Sequence, residues 1–128
     1  MTDQLDAETP SRYFVGETDA RPWGAWVVIG LGHHHIVKRI RVTPGQRLSL
    51  QRHRHRAEHW VVVAGTGTVT IDGETKPIGP NDHAFIPATS VHRIANTGDA
   101  DLVFIEVQFG ETLSEADIER LQDDAGRV

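Results

Sequence analysis

The sequence predicts an all-β sandwich or barrel, closed at its end by one short helix. Two observations carry the β prediction and a third carries the helix. Short runs of alternating or apolar residues recur, at the spacing of about 8 to 12 residues typical of such folds, from "RPWGAWVVI" through "DLVFIEVQF". Asp72-Gly73 sits between the two extended arms of "TVTIDGETKPI", a pair that favours the left-handed backbone of a tight hairpin. Only the final stretch, "LSEADIERLQ", leaves the two-residue period for a helical one.

Taken in order, residues 1–20 show no clear periodicity and read as a loose arm or an edge strand. Pro22 and Gly24 then precede the apolar run "AWVVI". "IVKRIRV" (36–42) alternates and stops at the turn "TPG", and "QRLSLQRH" (46–53) alternates again. "EHWVVVAG" (58–65) is a more continuous apolar strand. The hairpin at Asp72-Gly73 follows, and "HAFIP" (83–87), "SVHRIAN" (90–96) and "DLVFIEVQF" (101–109) complete the set. At the end Ser114 is placed as an N-cap with Asp117 three residues on, an acidic variant of the capping box. Leu113 and Ile118 would form its hydrophobic staple, and Ile118 and Leu121 would face the barrel.

A chain of 128 residues suffices for one domain with one core. Its apolar content, 38%, is low for a globular domain and points to a small core with a polar interior feature. With no cysteine, disulfides and thiolate metal ligands are excluded, so a metal would be held by His, Glu, Asp or Gln. No apolar run approaches the roughly 18 residues of a membrane span. The acidic start "MTDQLDAETP" does not read as a secretion signal, and the expected location is the cytoplasm. The net charge of -5 hides an asymmetry: residues 20–57 hold eight of the 13 Lys and Arg and no acid. A local basic region on an acidic chain argues against nucleic acid and suits a small anion such as a phosphate.

The chemistry concentrates in "LSLQRHRHRAEHW", where His53, His55 and His59 compete as metal ligands. On a straight strand Gln51, His53 and His55 share one face. Glu58 has the opposite parity and joins that face only if residues 54–57 turn. Trp60 and Val62 would then lie on its side and His59 would point away. The run His33, His34, His35 reads as a loop tip, because consecutive residues on a strand cannot converge on one centre. His83 reads as an ordinary strand residue.

Two segments resemble the paired motifs of the cupin superfamily. Gly45, Gln51, His53, Glu58 and Gly65 fall at the spacings of the first motif, with Gln51 in its first histidine place. Asn81, Pro87, Thr89, His92 and Asn96 fall at those of the second, with Asn81 and Thr89 in place of glycines. Asn81 can take a left-handed backbone, whereas the β-branched Thr89 suggests a different local turn. The resemblance implies a double-stranded β-helix (a jelly-roll barrel) over residues 21–128. It also implies one divalent metal on Gln51, His53, Glu58 and His92. Two imidazoles, a carboxylate and an amide oxygen suit Zn, Mn, Co, Ni or Fe(II) and leave positions open for water or substrate.

Most of the chain also resembles the type II phosphomannose isomerase domain, which usually follows a mannose-1-phosphate guanylyltransferase domain. The matching segments include "RPWGAW", "VKRIRVTPGQRLSLQRHRHRAEHWVVVAGTGTV", "NDHAFIPATSVHRIAN" and "LSEADIERLQDDAGR". This sequence departs in "GLGHHH" and at Ala125, where the family usually has an aromatic residue. No Gly-rich nucleotide signature precedes the barrel, so nucleotidyl transfer is not expected. The resemblance implies interconversion of mannose 6-phosphate and fructose 6-phosphate, with zinc as the metal, and cupins commonly form homodimers. That reaction moves a proton between C1 and C2, so it needs a base, an enediolate stabiliser and a cation for the phosphate. Glu106, a charged residue on an apolar strand, is the candidate base. Lys38, Arg39 and Arg93 are the candidate contacts to phosphate or enediolate. Parity forbids Lys38 and Arg39 from both pointing inward, and Arg93 alternates away from His92.

Overall fold

The computed structural model describes residues 13–124, 126 and 127. Residues 1–12 of the expected arm, and Ala125, lie outside the described residues. Eleven strands follow one another: β1 (Thr18–Arg21), β2 (Gly24–Leu31), β3 (His35–Val42), β4 (Leu50–Arg52), β5 (Ala57–Ala64), β6 (Gly67–Ile71), β7 (Glu74–Ile78), β8 (His83–Ile86), β9 (His92–Asn96), β10 (Leu102–Phe109) and β11 (Glu119–Gln122). They form two antiparallel sheets, ordered β1-β2-β3-β10-β5-β8 and β11-β4-β9-β6-β7. The inner faces of the two sheets bury Trp26, Val28, Ile40, Val42, Trp60, Val62, Val69, Ile86, Ile94, Leu102 and Phe104.

Strand alternation places the inner residues. On β3, Ile36, Lys38, Ile40 and Val42 are buried, while Arg39 and Arg41 are exposed. On β10, Leu102, Phe104, Glu106 and Gln108 are buried at every second position. Asp72 and Gly73 have φ of 50° and 87°, the pair of left-handed residues that closes the β6–β7 hairpin. The strand expected over 46–53 contracts to β4. Residues 46–48 still bond to β9, through Leu48 N to Ile94 O and Asn96 N to Gln46 O, but in an irregular course.

Thr89 departs from expectation. Its φ is 72° and that of Asn81 is 77°, so both keep the left-handed backbone of the glycines they replace. A β-branched residue there costs roughly 1–2 kcal/mol. The turn is held by Thr89 N donating to His53 O at 2.7 Å and Ser90 N donating to Pro87 O at 3.2 Å.

The C-terminal helix does not form, and the described residues contain no helix. Ser114 starts a single turn, with its Oγ accepting from Ala116 N at 3.0 Å and its carbonyl from Asp117 N at 3.1 Å. The chain then extends, because residues 119–122 pair with β4: Glu119 opposite Arg52 and Arg120 opposite Gln51. The open edge of β4 offers backbone partners that outweigh the local helical preference. Leu121, expected to face the barrel, is 43% exposed. No helix among the described residues is long and apolar enough to cross a membrane.

Candidate metal centre

Glu58 and His92 come from opposite sheets and His53 from the turn between β4 and β5. A turn over residues 53–56 separates β4 from β5 and reverses the parity, so Glu58 enters the face already shared by Gln51 and His53. Trp60 and Val62 follow Glu58 inward, and His59 is exposed. His92 enters from β9, directly opposite Gln51 on β4. Ligand atoms of His53, Glu58 and His92 all lie within 4.8 Å of one another, in a group buried throughout. Among the described residues this is the one such His, Cys, Asp and Glu group. Gln51 is buried and lines one cavity with His53 and Glu58. His55, His59, His83, His33, His34 and His35 are exposed and stand outside it.

The hydrogen bonds orient the three groups. His53 Nδ1 lies 2.7 Å from Asp117 O, and His92 Nδ1 lies 2.9 Å from Ser90 O. A backbone carbonyl can only accept, so each Nδ1 carries the proton and each Nε2 presents a lone pair. His92 Nε2 is buried with no hydrogen-bond partner. His53 Nε2 faces Arg56 Nη2 at 3.2 Å and Glu58 Oε2 at 3.3 Å. Glu58 accepts from Trp60 Nε1 at 2.9 Å on one oxygen and from Arg56 Nε at 2.9 Å on the other.

Burial pushes His53 down to about 4, so it is neutral and ready to donate its lone pair. Burial alone would raise Glu58. The Arg56 guanidinium outweighs it and holds the carboxyl well below its ordinary range. A buried, unpartnered imidazole nitrogen beside a second buried imidazole lone pair and an ionised carboxylate fits a divalent cation. Gln51 can add an amide oxygen. A cation taking both nitrogens would displace Arg56 from His53.

Glu106 lines the cavity and is 5% exposed, with Oε2 accepting from Gln108 Nε2 at 2.7 Å. Burial and the neighbouring Glu58 push it up to about 8, against the pull of Lys38 and Arg56. Lys38, opposite Glu106 across the β3–β10 ladder, is the inward member of the Lys38–Arg39 pair. Its ammonium lies 3.9 Å from the Trp26 ring centroid and 2.8 Å from Glu115 Oε2, and Tyr13 OH also donates to that oxygen. Arg39 faces out. Arg93 also turns away from the cavity: it is tied to Leu48 O at 2.8 Å and Gln122 Oε1 at 2.7 Å.

Sequence reasoning overlooked several cavity residues. Arg56 was one arginine among many, yet it bridges two of the candidate ligands. Glu115 has no role in the sequence reading, and Asp117 has there the capping-box place of a helix that does not form. Arg21, Arg120 and Arg127 also line the cavity. Burial lowers Arg120, and so do the nearby Arg127 and Arg21 guanidiniums, although Asp123 opposes them. Arg120 Nε is buried without a hydrogen-bond partner. Only the basic character of some of these residues was legible in the sequence, because residues 21, 56 and 120 meet only through the fold.

Comparison with known proteins gives a consistent answer. The family described as mannose-6-phosphate isomerase C-terminal matches residues 11–123. The alginate biosynthesis protein AlgA of Pseudomonas aeruginosa is 53% identical over 108 residues, 84% of this chain and 22% of that protein. The mannose-1-phosphate guanylyltransferase ManC of Salmonella typhimurium is 51% identical over 128 residues, 100% of this chain and 27% of that protein. The chain thus spans about a quarter of the length of these relatives. Among solved structures, the cupin domain of Schizosaccharomyces pombe Cnp3 superposes with a TM-score of 0.65 at 11% identity, covering 67% of this chain and 64% of that one. That likeness concerns the fold alone.

Proposed function

The chain belongs to the mannose-6-phosphate isomerase C-terminal family, and from that premise we propose that it is a metal-dependent isomerase interconverting mannose 6-phosphate and fructose 6-phosphate. The observation that carries the reading is the orphaned His92 Nε2, aimed with His53 and Glu58 at one point beside a second buried carboxyl, Glu106. Zinc is the proposed ion. Bound there, it would polarise the substrate carbonyl and, by its charge, lower the proton affinity of the adjacent carboxyls.

The chain's own residues supply the rest. Gln51, His53, Glu58 and His92 would hold the ion, with both histidines fixed in the tautomer that leaves Nε2 unprotonated. Glu106, once ionised, takes the proton from C2 of the aldose. The C2–H electrons become the C1–C2 double bond and the carbonyl electrons move to O1, giving the enediolate. The same carboxyl returns the proton to C1 while O1 gains and O2 loses a proton. Lys38 stands beside Glu106 and can stabilise the negative charge. Arg120, with an unpartnered Nε among Arg21 and Arg127, is the proposed phosphate contact in place of Arg39 and Arg93.

One observation favours a second reading. Arg56 already bonds to His53 Nε2 and Glu58, so a metal-free polar interior in a sugar-phosphate-binding barrel would be mostly satisfied. Metal analysis and an isomerase assay separate the two. Wild type and His55→Ala should hold one zinc and turn over mannose 6-phosphate, and His92→Ala should lose both. A wild type that binds mannose 6-phosphate but neither metal nor turnover would establish the second reading.

A further inference from the structure

His53 is held from two sides. Its carbonyl accepts from Thr89 N, and its ring nitrogen Nδ1 meets Asp117 O at 2.7 Å. Asp117 does more than offer that carbonyl. Its Oδ1 accepts from Arg54 N and its Oδ2 from His55 N, both at 2.9 Å. One residue, more than sixty positions further along the chain, thereby grips the two amides after His53 and the His53 ring.

We propose that Asp117 is a positioning residue for the metal ligand His53. This rests on the reading of His53 as a ligand. The carboxylate clamps the turn after β4 against the segment leading into β11. The clamp keeps the Asp117 carbonyl in line with His53 Nδ1. That bond fixes the proton on Nδ1 and leaves the Nε2 lone pair facing Glu58 and His92. Without the clamp the carbonyl can drift, and once a cation displaces Arg56 from Nε2 nothing else holds the ring in the Nδ1–H tautomer that leaves Nε2 a lone pair. The carboxylate is thereby diverted from the capping box expected at Ser114 and Asp117: its oxygens accept from the β4–β5 turn.

The test uses the full chain with Asp117→Ala and Asp117→Asn, each checked for a folded spectrum and a cooperative melt. In metal-free Arg56→Met protein, where no guanidinium donates to Nε2, nitrogen-15 NMR of the His53 ring should report the Nδ1–H tautomer, and a mixture once Asp117→Ala is added. Zinc affinity, from competition with a chromophoric chelator, should fall about 10- to 100-fold in Asp117→Ala. Asp117→Asn, which keeps one acceptor oxygen, should fall between, and it decides the question if the alanine variant does not fold. An unchanged tautomer together with zinc affinity within twofold of wild type in the folded variants overturns the proposal. If wild type binds no zinc, the metal reading of the function fails. The tautomer alone then decides whether Asp117 positions His53.

Discussion

The two ends of the inner faces of β5 and β10 differ sharply in chemistry. On β10, Leu102 and Phe104 are dry and packed, and Glu106 and Gln108 continue the same row as a buried polar pair. On β5, Val62 and Trp60 are core and Glu58 is a candidate ligand. On β3, Val42 and Ile40 give way to Lys38 before Ile36 resumes the apolar row, and on β9 Ile94 stands between His92 and the buried Asn96. Parity is identical throughout, so direction is set by the pleat and chemistry by residue identity. One half of the barrel contributes apolar burial, and the other holds buried charge in place by mutual pairing. The polar half is stable only as a set: Arg56 neutralises Glu58, and Glu115 neutralises Lys38.

The comparison breaks most severely in the dry half. Phe104→Ala removes a fully buried ring packed 5.0 Å from the Trp60 centroid and should cost about 3–5 kcal/mol of unfolding free energy, read by denaturant titration. A loss under about 1 kcal/mol would mean that the apolar half does not carry the fold.

Glu106→Gln should act in the opposite way. Turnover should fall about 10²- to 10⁴-fold, the usual contribution of a positioned base. The metal-free protein should be no less stable. Glu106 is pushed up to about 8 from an ordinary 4.5, so between those values the native state binds a proton that the unfolded state has released. Wild-type stability therefore falls as pH rises through that window, and the glutamine variant should lose this slope in thermal melts. A variant melting well below wild type at pH 8 would contradict the assignment.

The smallest effect belongs to the rim. Glu115 is drawn down to about 2, because Lys38 and the Tyr13 hydroxyl outweigh its burial. Its contribution is complete above the ordinary 4.5 and is lost as pH falls toward 2. Glu115→Gln should flatten the acid side of the stability curve over that range. An unchanged curve would remove the ion pair from the account of acid stability.

The sequence made the dry half legible because alternation is a local property: every inner residue of β10 could be read from "DLVFIEVQF". It made the four candidate ligands legible through motif spacing. The remainder depends on tertiary contacts. Ser114 carries a sound local helix signal, and the free edge of β4 overrides it. Thr89 adopts a backbone its side chain disfavours, in a turn whose amide bonds to the distant His53 O. Arg56, Asp117 and Arg120 have no local pattern to mark them, since their partners come from distant segments.

The β4–β9 seam has a consequence for motion. β10 and β5 are paired over seven residue positions, whereas β4 meets β9 at one, Gln51 opposite His92. Native-state amide exchange samples the least supported pairings first, in openings that cost less than global unfolding. Amides of residues 50–52 should therefore exchange well before those of β10, with the six-stranded sheet intact. Because Gln51 and His92 sit on that one rung, such an opening would separate two of the four candidate ligands.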